Sequence, residues 1–274
     1  MKIVTFCFIC FTFIFSAFAA PNDFERLLPI LTKENSESEI IPKTTQELEN
    51  AFKNSDKELP RVFVKKLPDD FAEKGNPKLY AKILTALILR ENEQILNERI
   101  LFLLLKEKAD KGEKWTEQEQ RYFDYLVDKY DSVVLKTIPT KLNDLILKID
   151  EIPPSLAIAQ SALETDFGKK NADSPFGQQG WLDRQTYANI RYDNLSDAVK
   201  AYVKEMNSTP NYEDWHRLRA VQAQKQNAMT SLYMAGGLRT YRPEDTLYIE
   251  KIKQIITSHP FLFNMDKLNL KKIK

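Results

Sequence analysis

The stretch that most restricts the fold runs from Lys78 to Lys111, KLYAKILTALILRENEQILNERILFLLLKEKADK, with neither proline nor glycine before Gly112. Asn76-Pro77 opens it, pairing a side chain that accepts from a free backbone N–H with a ring that presets the first helical φ. Leu84, Leu87, Ile88, Ile95, Leu96 and Ile100 keep helical spacing. One long or gently broken helix is therefore predicted.

Further helices flank it. Thr116 and Glu119 form a capping box at the head of TEQEQRYFDYLVDKY, so an amphipathic helix is predicted there. Residues 139–149, PTKLNDLILKI, predict another, and Pro153-Pro154 starts SLAIAQSALETDF, stopped by Gly168. Residues 169–192 differ, with glycines, a proline and the aromatics Phe176, Trp181, Tyr187 and Tyr192. They read as a loop with a short hairpin through TYANIRY. Helices are predicted again in LSDAVKAYVKEM, in NAMTSLYMAGGL and from Pro243 to Ser258. No repeat and no strand-rich half is present. The expected class is mainly α with one small irregular or β lobe.

The ends of the chain read differently. MKIVTFCFICFTFIFSAFAA has a lysine, an apolar run and a small-x-small exit at Ala17-Phe18-Ala19, the pattern of a secretory signal peptide over residues 1–19. Both cysteines, Cys7 and Cys10, fall inside it. The exported chain would lack disulfides and thiol nucleophiles. Its expected location is the periplasm or the medium. Residues 20–60 are polar, without a sustained period, and read as a flexible arm. Residues 61–137 are expected to form an N-terminal helical segment, 138–265 the main domain and 266–274 a basic tail.

Charge removes one class of partner. The 40 Lys+Arg nearly cancel the 39 Asp+Glu, and nucleic-acid binding requires a basic excess. His216 and His259 are the only histidines, and they show neither a triad context nor metal-ligand spacing. No phosphate-binding glycine loop occurs. No metal or cofactor is expected.

One acid stands out. Glu164 lies at the end of the apolar run IAQSALETDFG, with Gln160 and Ser161 one turn back and Phe167 and Gly168 one turn forward. Apolar neighbours and the negative end of a helix both disfavour a carboxylate anion. A carboxyl kept protonated is what a general acid in glycosidic cleavage requires. The same residue equally fits the polar edge of an ordinary amphipathic helix. Of the chain's 7 glycines, Gly168, Gly177 and Gly180 follow Glu164 closely, in a segment containing PFGQQGW. Glycines admit a ligand close to backbone, and aromatic faces suit sugar rings. A compact turn around a core Phe176 is the structural alternative.

IPPSLAIAQSALETDFG followed by PFGQQGW resembles the Bax-type bacterial glucosaminidases, peptidoglycan N-acetylglucosaminidases related to the flagellar peptidoglycan hydrolase. IRYDNLSDAVKAYVKEMNSTPNYEDWHRLRA and MAGGLRTYRPEDTLYIEKIKQII are similar to the segments that follow in that family. KKLPDDF and RENEQILNERILFLLL resemble its N-terminal helical part, so the likeness spans roughly residues 60 to 260. It implies a lysozyme-like helical core with a small lobe over a sugar cleft, and hydrolysis of the β-1,4 bond after N-acetylglucosamine in peptidoglycan. Glu164 matches the family's acid, and Tyr241 a tyrosine that positions the sugar or stabilises the transition state. Phe176, Gly177 and Trp181 would shape the cleft, with Gln160 and Tyr202 as further substrate-binding residues. Asp166-Phe167 and Arg242 depart from the family's usual residues. Asp183 and Asp193 are the candidates for a second carboxylate, and a substrate-assisted route would need none. A binding protein that has lost catalysis and a lytic transglycosylase are the competing functions. The expected partner is the peptidoglycan strand, with the N-terminal helices as a surface for envelope proteins and the chain acting as a monomer.

Overall fold

The computed structural model describes residues 23–33, 38–181, 186–209, 212–224, 231–240 and 246–272. The expected signal-peptide segment, Asp183, Tyr241 and Arg242 lie outside them. The element order opens with α1 (Asp23–Leu31), β1 (Ser38–Ile40), α2 (Thr45–Ala51), β2 (Glu58–Leu59), β3 (Val62–Val64) and α3 (Phe71–Lys74). It continues through α4 (Pro77–Asp110), α5 (Glu117–Lys129), α6 (Ile138–Lys148) and α7 (Pro154–Thr165). The small lobe holds β4 (Gln179–Trp181) and β5 (Tyr187–Asn189). Then come α8 (Leu195–Ser208), α9 (Glu213–Gln224), α10 (Ser231–Met234), a 3-10 turn (Ala235–Thr240), α11 (Tyr248–Ser258), α12 (Leu262–Met265) and β6 (Asn269–Leu270). The fold is mainly α, consistent with the lysozyme-like class.

Helix α4 is the predicted long helix, and it is unbroken. The Asn76 side chain accepts from the Leu79 N–H at 2.9 Å, closing the helix start. Its first half is buried on every side: Tyr80, Ala81, Ile83, Leu84, Thr85, Ala86, Leu87 and Ile88 are all inside. A helix buried all round sits at the centre of a core rather than on its surface. Helices α1, α7 and α8 and strand β3 pack around it. None of the described helices is long and apolar enough to cross a membrane.

The expected flexible arm is corrected. Within residues 20–60, α1 inserts Phe24 edge-on against Tyr122 at 5.5 Å. Leu48, Phe52 and Leu59 are buried in the same core. Strand β1 pairs in parallel with β3, and β2 in parallel with β6. Elements this short show too few periods to be read from sequence, and burial against α4 holds them. Part of the expected basic tail is packed as well. Leu268 and Leu270 are buried, and the Lys271 N–H donates to the Leu59 carbonyl at 2.9 Å.

Two arginines close the C-terminus of α6. Arg219 donates to the carbonyls of Leu147, Lys148, Asp150 and Glu151 at 2.7–3.1 Å, and to Asn207 Oδ1 at 2.9 Å. Arg99 reaches the carbonyls of Ile146 and Ile149. Cations at a helix C-terminus satisfy its last carbonyls and oppose its negative partial charge. Asn92 pairs with both backbone groups of Ile152, at 2.8 and 3.0 Å. The turn leading into α7 is thereby fixed.

Candidate active site

Helix α7 carries Glu164 near its end. Pro154 through Ala162 are buried, and the small side chains of Ala157, Ala159 and Ala162 let α4 and α11 approach closely. The last turn is tied to α4: Tyr80 Oη lies 2.7 Å from Ser161 Oγ, and Thr165 Oγ1 donates to Tyr80 Oη at 3.3 Å. Helix α7 then stops through left-handed residues, Asp166 (φ 48°), Phe167 (φ 54°) and Gly168 (φ 81°). Gly168 is required here twice over, since a Cβ on it would lie 2.6 Å from the Tyr80 ring.

Phe167 packs into the core. It is buried against Tyr80, His259 and Phe261, with ring centroids 6.4, 4.7 and 6.4 Å away. The residue that departs from the family's usual pattern therefore packs the junction between α4 and the end of α11. Asp166 is exposed.

Glu164 itself is half-buried and faces the glycine-aromatic loop. A Cβ on Gly177 would lie 2.6 Å from both Cδ and Oε2 of Glu164, so a side chain here would push the carboxyl from its place. Gly177 also has φ +60°, a conformation that L side chains rarely adopt. Its N–H donates to the Ser174 carbonyl at 3.1 Å, closing the turn.

Three of the expected sugar-contacting residues lie behind that loop instead. Gln160, Phe176 and Tyr202 are 2%, 3% and 1% exposed. The Phe176 ring stacks on Tyr202 at 4.0 Å and 11°. Tyr202 Oη donates to Gln160 Oε1 at 2.6 Å, and Gln160 Nε2 donates to Tyr248 Oη at 3.0 Å. Their faces and polar atoms engage one another, and in this arrangement they back the loop. Trp181 ends β4, paired with Tyr187 of β5; its side chain lies outside the described residues, as does Tyr241. Asp193 is exposed, next to the N-cap Asn194 of α8.

Sequence reasoning passed over Gln178, Tyr192 and Glu205. The buried Gln178 donates through Nε2 to Glu205 Oε2 at 2.5 Å and accepts at Oε1 from Tyr192 Oη at 2.9 Å. Its carbonyl accepts from the Ile190 N–H at 2.8 Å. Burial first, then the Glu205 carboxylate, push the Tyr192 phenol above its usual range. No local signal joins Gln178 to Glu205; the pairing exists only once α8 lies beside the loop.

Cavities of about 750 and 650 Å³ open elsewhere, one beside the start of α4 and one between α4, α5 and α8. Glu164 lines neither of them. Among the described residues, no three His, Cys, Asp or Glu side chains are grouped to hold a metal.

A family model described as glucosaminidase, mannosyl-glycoprotein endo-β-N-acetylglucosaminidase, matches residues 144–260. Residues 144–260 are a glucosaminidase domain. The match runs from within α6 to just past α11, so the glucosaminidase domain contains Glu164, the loop, the hairpin and the helices behind them. The match indicates glycoside hydrolase activity of the endo-β-N-acetylglucosaminidase class. No curated protein and no solved structure matches the chain.

Proposed function

We propose that this glycoside hydrolase is exported and cuts peptidoglycan at the β-1,4 bond after N-acetylglucosamine, with Glu164 as proton donor. The observation that carries the reading is the Gly177 backbone lying against the Glu164 carboxyl inside the matched region. The close backbone contact fixes where this half-buried carboxyl stands at the helix end, as a positioned proton donor requires. The Glu164 proton passes to the leaving oxygen as the C1–O bond breaks, and water supplies the new hydroxyl at the anomeric carbon, its other proton restoring the acid. Export rests on the leader-like residues 1–19, and the peptidoglycan substrate on the resemblance of the loop and helix motifs.

Glu164→Gln keeps the size of the side chain and cannot donate the proton. Purified peptidoglycan is digested with wild type and variant, and the fragments are examined by mass spectrometry. Reducing N-acetylglucosamine ends from wild type, and about 10³-fold fewer from the variant, are expected. Undiminished release by the variant would remove Glu164 from the chemistry. Anhydro-muramyl ends would make the enzyme a lytic transglycosylase.

A further inference from the structure

The geometry points to Glu205 as a positioning residue that acts through Gln178 to hold the Gly177 backbone against the Glu164 carboxyl. This rests on Glu164 being the proton donor proposed above. An ionised carboxylate only accepts hydrogen bonds, so Glu205 fixes which end of the Gln178 amide faces it. Nε2 turns to Glu205 at 2.5 Å, leaving Oε1 to accept from Tyr192 at 2.9 Å. The residue preceding Gln178 is Gly177. The backbone there is thus anchored on both sides, by the Phe176–Tyr202 stack before the glycine and the Gln178–Glu205 bond after it. Gln178 is buried while Glu205 is partly exposed, so the polar anchor reaches from α8 into the loop. Neither Gln178 nor Glu205 needs to touch the sugar. They set where the loop stands, and a loop displaced by about 1 Å misaligns the group it faces.

The test compares Glu205→Ala, Glu205→Gln, Gln178→Ala and the double alanine variant with wild type and Glu164→Gln. Initial rates on solubilised peptidoglycan fragments are normalised to folded protein. Glu205→Ala and Gln178→Ala should each lower kcat roughly 10- to 100-fold with KM little changed. The double variant should be no worse than Gln178→Ala, which already removes the bond that Glu205→Ala takes away. Glu205→Gln, whose amide oxygen still accepts from Gln178, should recover most of the rate. Hydrogen exchange gives a readout independent of turnover: the Gly177 and Ile190 amides should exchange faster in Glu205→Ala and be restored in Glu205→Gln, with α4 unchanged. Full kcat together with unchanged exchange in Glu205→Ala would overturn the inference. So would a Glu205→Gln variant as inactive as Glu164→Gln, since the carboxylate would then be doing chemistry itself. Retained activity in Glu164→Gln would instead refute the functional reading, and the exchange measurement would still judge the positioning role.

Discussion

Gly177 approaches Glu164 so closely that a methyl group at its Cα would lie 2.6 Å from the carboxyl carbon. A helix end and the glycine loop that follows it meet here, carboxyl against backbone. Gly177→Ala combines that clash with the left-handed φ of +60°. The backbone penalty alone is about 1 kcal/mol. Hydrolysis should fall about 100-fold, while thermal melting shows the protein still folded. Gly180→Ala is the control: its Cβ would meet only the end of Ile190 at 3.0 Å, with no positive φ. Equal rates for the two variants would mean that the Gly177 contact is immaterial.

Gly168 and Gly112 separate backbone strain from crowding. Both have positive φ, but a Cβ at Gly168 would strike the Tyr80 ring at 2.6 Å, whereas nothing lies within 4 Å of one at Gly112. Gly112→Ala should cost about 1 kcal/mol, the left-handed penalty alone. Gly168→Ala should cost at least about 1–3 kcal/mol more, because the Tyr80 ring is buried and packed. Urea unfolding of both variants measures the difference, and similar midpoints would contradict it.

Arg219 should be a large single contributor to stability. It is buried, reaches the carbonyls at the end of α6, and lies 4.2 Å over the Trp215 ring. Burial lowers its guanidinium to about 10, still well above neutral pH, with Asp150 opposing the drop. Arg219→Met would leave Asp150 and the freed carbonyls without it. A loss of about 3–5 kcal/mol is expected in denaturant unfolding. A loss below about 1 kcal/mol would show that Arg99 closes the helix alone.

Two groups with shifted pKa values should give opposing pH dependences. His216 donates from Nε2 to the Met206 carbonyl at 2.6 Å, and burial, then Arg219, lower its pKa from 6.5 to about 3. Between those values the unfolded chain binds the extra proton, so this stabilisation is complete above 6.5 and is lost as pH falls towards 3. Glu151 moves the other way: burial, then Asp150, raise it from 4.5 to about 7 against the pull of Arg219 and Arg99. Between those values the folded chain holds the proton, so its contribution is present at low pH and is lost as pH rises towards 7. The two slopes oppose each other between about 4.5 and 6.5. In Glu151→Gln the opposition is gone, and stability should rise more steeply with pH there, by up to about 1.4 kcal/mol per unit. Unfolding curves at several pH values test this, and parallel profiles for wild type and variant would rule it out.

Local chemistry made much of the scaffold legible. The Asn76 cap and the Thr116–Glu119 capping box use hydrogen bonds between residues a turn apart, and both are present where the sequence places them. The hairpin was half legible: β5 lies within the expected TYANIRY, but its partner β4 is the QGW of the preceding loop. The N-terminal 23–59 segment was misread, because its short elements gain their order from burial rather than from their own periodicity.

By itself the sequence determined the long central helix, the helix ending beside Glu164, the glycine loop and, through ordered motifs, the glucosaminidase resemblance. Only the tertiary structure decided that Phe167 packs inward, that Gln160, Phe176 and Tyr202 stand behind the loop, and that Glu205 holds Gln178. Caps and helical periods are settled within one or two turns of chain. Which side chain meets which across the core depends on how whole elements pack, and no short stretch of residues encodes that.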